Sequence, residues 1–519
     1  MKTPLGVKKR AALFPVFVLL LAGEGLLAAQ NRGAPSAAGP AAFPSLDASP
    51  QAYEYARRIA AGGTWRDLAE AALWASSVNA GPGGGGTSYM DRINAAAADL
   101  AAAPDLPGDP KERGDYVLTF LHRRFLKSYS EYQTRVDEIL VSGRYNCVSS
   151  AVFYMVLGLS VGLDVRGVMT KDHAFATVNT GQEIIDVETT NPYGFNPGNR
   201  KEFHDAFGKT TGFAYTPVKN YRDRTAISPL ELVSLILSNR ISELERGKRF
   251  APAVPLAVNR GALLGVNLNA GADQAAGAAL SAAAANRAGF FEDPRRDMIT
   301  RLVNLGAYFT QTGDEDNAIA WAVYAGERFP DQRWQELIFA AANNKLIKLI
   351  RVKKTAEART ALETLKPVLA GANYQTLDTA VLEAEAAGRV NGIKNPGEAE
   401  AALAFLDSVW ERLPEKDRRE MRTSAVLMEA ERIGKTRDWA GGMRWLSGAL
   451  ERYGGNPRIE SSLRIFRQNR VGELHNEFAL LFNKRDYAAA KASIERSLRE
   501  FPGERQFTQD LSMVEQALR

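Results

Sequence analysis

Cys147 is the only cysteine in 519 residues, and it opens an apolar stretch of helical character, CVSSAVFYMVLGLSVGL. With no second cysteine it cannot close a disulfide within the chain, so it is buried filler, an intermolecular link or a reactive group. A helix start favours reactivity: unpaired backbone N–H groups and the positive end of the helix dipole favour thiolate over thiol. The same N–H groups can stabilise a developing oxyanion. A nucleophile of this kind needs a base, and the base needs an orienting acceptor.

Of four histidines, His122 lies in LHRRF, His204 in KEFHDAF and His475 far along the chain, whereas His173 begins a strand, HAFATV. The next strand, EIIDVE, carries Asp186, and the NTGQ between them signals a hairpin turn. With Asn179 and Thr180 as a two-residue loop, Val178 pairs with Gly181 and His173 falls directly opposite Asp186. Opposed residues have β-carbons about 5 Å apart, within reach of an imidazole–carboxylate hydrogen bond.

The segment GRYNCVSSAVFYMVLGLSVGLDVRGVMTKDHAFATVNTGQEIIDVETTNPYGF, residues 143–195, resembles the core of the transglutaminase-like superfamily, a papain-like fold. The order of Cys, His and Asp, their spacing of 26 and 13 residues, and the Gly-Leu-x-Val-Arg-Gly-Val step between them carry the resemblance. It implies a triad of Cys147, His173 and Asp186 working by acyl transfer through a thioester, as a peptidase or amidase or as an amine-crosslinking enzyme. The Cys147 amide would bind the oxyanion, with Tyr145, Asn146 and Gln133 as candidates for the second donor. Glu188, two residues beyond Asp186 on the same strand face, can substitute as the acceptor. The rival reading is a non-catalytic scaffold in which this fold is a relic. One cysteine and no paired histidines give no metal-ligand spacing, and no cofactor is expected. The turn-rich segment NPYGFNPGNRKEF, 191–203, is expected to border the cleft.

The elements that must position these residues follow from pattern. Lys8, Lys9 and Arg10 precede an apolar run, Ala11 to Ala22, with small residues at Ala28 and Ala29, the layout of a secretory signal over 1–29. Export to the periplasm or exterior is expected, with an uncleaved membrane anchor as the alternative. Residues 30–50 are small, Pro-rich and almost uncharged, a flexible tether. A helical segment follows at 51–103, broken at Gly62 and Gly63. The run NAGPGGGGTSYM, 79–90, lacks the Gly-Lys-Ser/Thr ending of a phosphate loop and is expected to be a plain loop. Mixed helix and strand over 104–225 is the expected α+β papain-like domain, and 226–268 a helical extension.

Beyond an Ala-rich linker at 269–289, residues 290–519 are helical. Leu302, Leu305, Gly306, Phe309, Gly313, Ala318, Ala322, Ala325 and Pro330 follow the tetratricopeptide pattern of paired antiparallel helices. Leu474, Phe478, Leu481, Ala490, Ile494 and Pro502 repeat those offsets, with weaker copies at 431–457 and 244–258 and no clean register over 333–425. The pattern predicts an all-α solenoid that binds a protein or peptide partner. Lys plus Arg number 65 against 60 Asp plus Glu, and removing 1–29 leaves 61 against 59, so the chain makes no case for nucleic acid.

Overall fold

The computed structural model describes residues 43–78, 86–171, 173–198, 200–211, 224–266, 268 and 293–519. The expected signal, most of the tether, residues 79–85 of the glycine-rich run and the Ala-rich linker lie outside the described residues. The chain is mostly helical with small sheets, and it divides into two compact units at Ala341 and Ala342. No described helix is long and apolar enough to cross a membrane.

The first unit opens with α1 (Pro50–Ala60), α2 (Trp65–Ala75), α3 (Gly86–Ala101) and α4 (Pro110–Arg124). Their starts are set by local chemistry: the Ser49 side chain and Pro50 begin α1, a Thr64–Asp67 capping box begins α2, and the Asp109 carboxylate accepts from the first amides of α4. Within the glycine-rich run expected to be a loop, the residues from Gly86 onward are helical, because α3 begins there. Next come β1 (Ser128–Tyr129), α5 (Val136–Ser142), β2 (Arg144–Tyr145) and α6 (Cys147–Ser160). Strands β3 (Asp164–Met169), β4 (Ala174–Asn179) and β5 (Ile184–Val187) follow, then α7 (Lys201–Thr211), β6 (Thr225–Ile227), α8 (Pro229–Arg246) and α9 (Phe250–Leu263). The unit continues through α10 (Pro294–Thr312) and α11 (Glu315–Arg328) into α12 (Arg333–Arg351), within which the division falls.

Strands β3 to β6 form an antiparallel sheet in the order β5-β4-β3-β6, while β1 and β2 form a parallel pair. Helix α6 packs on β3 and β4 and is enclosed by α2, α3, α4 and α8, which explains why it is apolar on every side. One contiguous cluster of buried residues runs from Tyr55 through the sheet to Leu263. The expected helical segment at 51–103, domain at 104–225 and helical extension at 226–268 all contribute described residues to this one core. The expected papain-like α+β domain is corrected accordingly: its short strands are a minor part of a helical unit and have no core of their own.

The end of the expected tether is also corrected. Phe43 packs on aromatic rings of α10 and α11, Leu46 is 2% exposed and the Ser49 amide donates to Asn259 Oδ1 at 2.7 Å. Phe43 and Leu46 are the only large apolar residues in 30–50, too few to register against its small-residue composition. In α10 and α11 the positions Leu302, Leu305, Ala318, Ala322 and Ala325 are buried. Gly306 has to be small, since a β-carbon there would overlap the Leu337 side chain.

The second unit comprises α13 (Thr355–Leu365), α14 (Gly371–Asn391), α15 (Glu398–Ser408), α16 (Glu415–Lys435), α17 (Trp439–Tyr453), α18 (Pro457–Asn483), α19 (Tyr487–Glu500) and α20 (Arg505–Leu518), with a 3-10 turn at Trp410–Arg412. Each of these helices packs on the next in the chain. One buried cluster spans Leu382 to Phe466 and another spans Leu474 to Val514. Of the stretch 333–425, where the sequence shows helices without a clean register, the part beyond α12 folds as α13, α14, α15 and the first half of α16, each packed on the next.

Candidate active site

Cys147 is the first residue of α6, half-buried, with Asn146 as the cap. The Asn146 Oδ1 accepts from the Ser149 amide at 3.0 Å, the Ser149 hydroxyl accepts from the Asn146 amide at 3.0 Å, and Asn146 Nδ2 donates to the Glu131 carbonyl at 3.1 Å. The cap satisfies the third amide of the helix and leaves the Cys147 and Val148 N–H groups with no acceptor among the described residues. Both residues line a cleft of about 680 Å³.

His173 stands at the turn into β4, where its carbonyl accepts from the Thr170 amide at 2.8 Å and from the Thr170 hydroxyl at 3.2 Å. Its ring stacks on Phe175 and meets the edge of Phe207 on α7. His173 Nε2 lies 2.6 Å from Glu188 Oε2, and His173 and Cys147 line the same cleft. With Nε2 on Glu188, Nδ1 is the ring nitrogen available to the thiol. Burial works against protonation of His173. The Glu188 charge, the Cys147 side chain and the Glu188 hydrogen bond outweigh it, holding the imidazole well above its ordinary range.

Asp186 is not the acceptor. The loop joining β4 to β5 holds four residues, Thr180 to Glu183, so Asn179 pairs with Ile184 and Asp186 faces Thr177. Asn179 Oδ1 accepts from the Gly181 amide at 3.0 Å, and the Thr180 hydroxyl oxygen accepts from the Glu183 amide at 3.1 Å, fixing that loop with Gly181 at φ +84°. The Asp186 carboxylate is instead engaged by both terminal nitrogens of Arg224, with Nη1 at 2.6 Å from Oδ2.

Glu188 is 3% exposed, and its other oxygen, Oε1, accepts from the Thr190 hydroxyl at 2.7 Å and the Thr190 amide at 3.2 Å. The two threonines that follow it are held from three elements. Tyr145 Oη donates to the Thr190 carbonyl at 3.1 Å, His122 Nε2 donates to the Thr189 carbonyl at 3.1 Å, and the Ser150 and Thr189 hydroxyls are 2.8 Å apart. Burial, opposed by the Thr189 hydrogen bond, pushes His122 down to about 4, so it is a neutral donor. Burial and the Glu188 charge push the Tyr145 phenol up to about 12. His122, Ser150, Thr189 and Thr190 were missed in the sequence; the only trace is the hydroxyl-rich Glu-Thr-Thr run that follows β5.

The other candidates have structural partners, although Asn146 also lines the cleft beside Cys147. Tyr145 supports Thr190, Asn146 caps α6, and Gln133 gives its carbonyl to Ser149 and its side-chain oxygen to the Arg135 amide. None of the described residues of 191–203 lines the cleft; Gly194 accepts from the Glu188 amide and Phe195 is bridged to Val187. The cleft is walled by Tyr129 of β1 and Tyr132 after it, by Phe207 and Thr211 of α7, and by Ser238, Asn239, Glu243 and Arg246 of α8. Burial, then the nearby Cys147 and Glu188, raises the Tyr129 phenol and keeps it neutral.

No family model and no curated protein matches the chain. Among solved structures it matches a crystal structure of menin, described as revealing that protein's binding site for the Mixed Lineage Leukemia protein. The match has 15% identity, a TM-score of 0.30, and covers 75% of this chain and 94% of that one. The resemblance to the transglutaminase-like superfamily is not upheld: no family model supports it, and the chain is mostly helical rather than papain-like.

Proposed function

We propose that the chain is a cysteine-dependent acyl-transfer enzyme acting on a peptide or amide bond. The observation that carries this reading is the Glu188–His173 pair lining one cleft with the thiol of Cys147 at a helix N-terminus. In this scheme the Cys147 sulfur attacks the carbonyl carbon while its proton resides on His173. The tetrahedral oxyanion sits against the free Cys147 and Val148 amides. The imidazolium then gives its proton to the departing amine as the C–N bond breaks, leaving a thioester. Water or an amine, losing a proton to His173, attacks the thioester and returns the sulfur to its starting state. Glu188 holds the ring and stabilises the imidazolium.

The N-terminal charge and apolar pattern support export, and the stacked helices with tetratricopeptide-like spacing support a solenoid that binds a protein or peptide partner. The enzymatic reading is tested with p-nitrophenyl acetate under single-turnover conditions. A burst of one equivalent of nitrophenol with acetylation of Cys147, slowed at least about 10²-fold in His173→Ala, is expected. A thiol acetylated equally fast in His173→Ala and in the urea-unfolded chain would refute it.

A further inference from the structure

The helical hairpin α10–α11 presents three aromatic rings to one place: Phe309 from α10, and Trp321 and Tyr324 from α11. The ring seated among them comes from none of the helices. Phe43, in an irregular segment ahead of α1, lies 5.4 Å from Trp321 edge-on and 5.9 Å from Tyr324 in a stacked arrangement, with Phe309 at 6.4 Å. Three residues on, Leu46 is buried, and one further the Asp47 carboxylate approaches Arg328 at the end of α11 to 3.5 Å. The Ser49 amide, bound to Asn259 Oδ1 of α9, completes the seat.

This is how a linear peptide is held. Residues 43–48 belong to no helix or strand; Phe43 meets the three rings, Leu46 is buried, and the largely exposed Asp47 reaches Arg328. Pro44 narrows the free conformations of the segment, which lowers the entropic cost of seating it. The site is not a closed core either: Tyr324 is 41% exposed with Phe43 stacked on it, while Trp321 beneath is fully buried.

We propose that the α10–α11 face is a recognition site for a protein segment with an aromatic residue, a leucine three residues later and an acidic residue next to that leucine. Residues 43–47 occupy it in cis. The proposal stands independently of the acyl-transfer chemistry. A segment tethered directly to α1 competes at an effective concentration on the order of millimolar, so a partner carrying the same pattern has to outcompete it. The site is opened when the cis segment is weakened.

The test uses the full chain and a fluorescein-labelled peptide, Phe-Pro-Ser-Leu-Asp-Ala-Ser, followed by anisotropy. The Phe43→Ala variant is expected to bind it saturably and at least about tenfold more tightly than wild type, in which the site is filled. Adding Tyr324→Ala or Arg328→Glu to that variant weakens binding, and a peptide with Ala for Phe does not bind. Absence of saturable binding to a folded Phe43→Ala chain, or equal binding of the Ala peptide, overturns the proposal. Should Phe43→Ala fail to fold, Asp47→Arg, which reverses the charge facing Arg328 and keeps the ring, is titrated instead. Binding no tighter than to wild type there overturns the proposal equally.

Discussion

Glu188 Oε2 sits 2.6 Å from His173 Nε2, although Glu188 lies beyond the last paired residue of β5. The four-residue loop shifts the hairpin so that Glu188 is the diagonal neighbour of His173 across the two strands, a separation that a glutamate side chain spans and an aspartate does not. Asp186 keeps the same face but is displaced four positions along the pairing, about 13 Å in strand length. Two carboxylates on one strand thus have distinct duties, one on the imidazole and one on Arg224.

Glu188→Gln is therefore expected to slow acylation of Cys147 by about 10²-fold or more, because the amide removes the charge that stabilises the imidazolium. Asp186→Asn is expected to leave the burst rate at the wild-type level and to cost about 2 kcal/mol in urea unfolding through the Arg224 pair. The reverse pattern, a fast Glu188→Gln and a slow Asp186→Asn, would return the acceptor role to Asp186.

His173 also ties stability to pH. Its folded value is raised above the unfolded value of about 6.5, so the folded state holds the proton more tightly. The stabilisation is fully present below about pH 6.5 and is lost as the pH rises through the raised folded value. Urea unfolding of wild type against His173→Gln should show the larger advantage for wild type at about pH 6 and a smaller one at about pH 9. An advantage that grows with pH contradicts Glu188 and Cys147 as its source.

The sequence made the helix start at Cys147, the strand at His173 and the hairpin legible, because each rests on local signals: an apolar run, alternation and turn residues. Register was not legible. Asn179 and Thr180 can close a two-residue loop, yet their side chains instead cap the amides of Gly181 and Glu183 in a longer one. A turn signal locates a reversal without counting its residues. The even size of the error kept Asp186 and Glu188 on the same face, which is why the runner-up acceptor was within view. Domain limits were not legible either, since burial of α6 by α2, α3 and α8 is a long-range fact that no local pattern encodes. The helix pairs at 302–328 and 474–500 were legible because their small residues recur where helices meet.

His122 gives a second pH dependence of opposite sign. Buried and held near a pKa of about 4, it is neutral in the fold but protonates below about 6.5 once unfolded. Between those values the unfolded chain binds more protons, so stability falls as the pH is lowered through this window, by at most about 3 kcal/mol. His122→Gln, which keeps a donor for the Thr189 carbonyl, should flatten the urea-unfolding stability profile between about pH 6.5 and 4. An unchanged slope in that variant would place the acid sensitivity elsewhere.

Gly194 offers a way to disturb the acceptor without touching the cleft. Its carbonyl accepts from the Glu188 amide at 2.8 Å, its own amide donates to the Asn191 carbonyl at 3.0 Å, and a β-carbon on it would overlap the Glu188 carbonyl. Gly194→Ala must therefore move the Glu188 backbone, at a cost of about 1–3 kcal/mol. Because Oε1 is tied to Thr190, that movement is transmitted to Oε2 and to His173. The variant should lose stability in urea unfolding and also acylate Cys147 more slowly, whereas Gly181→Ala, at a loop position with open space around it and φ +84°, should lose stability alone. If Gly194→Ala acylates at the wild-type rate despite its lost stability, the position of Glu188 does not govern the imidazole.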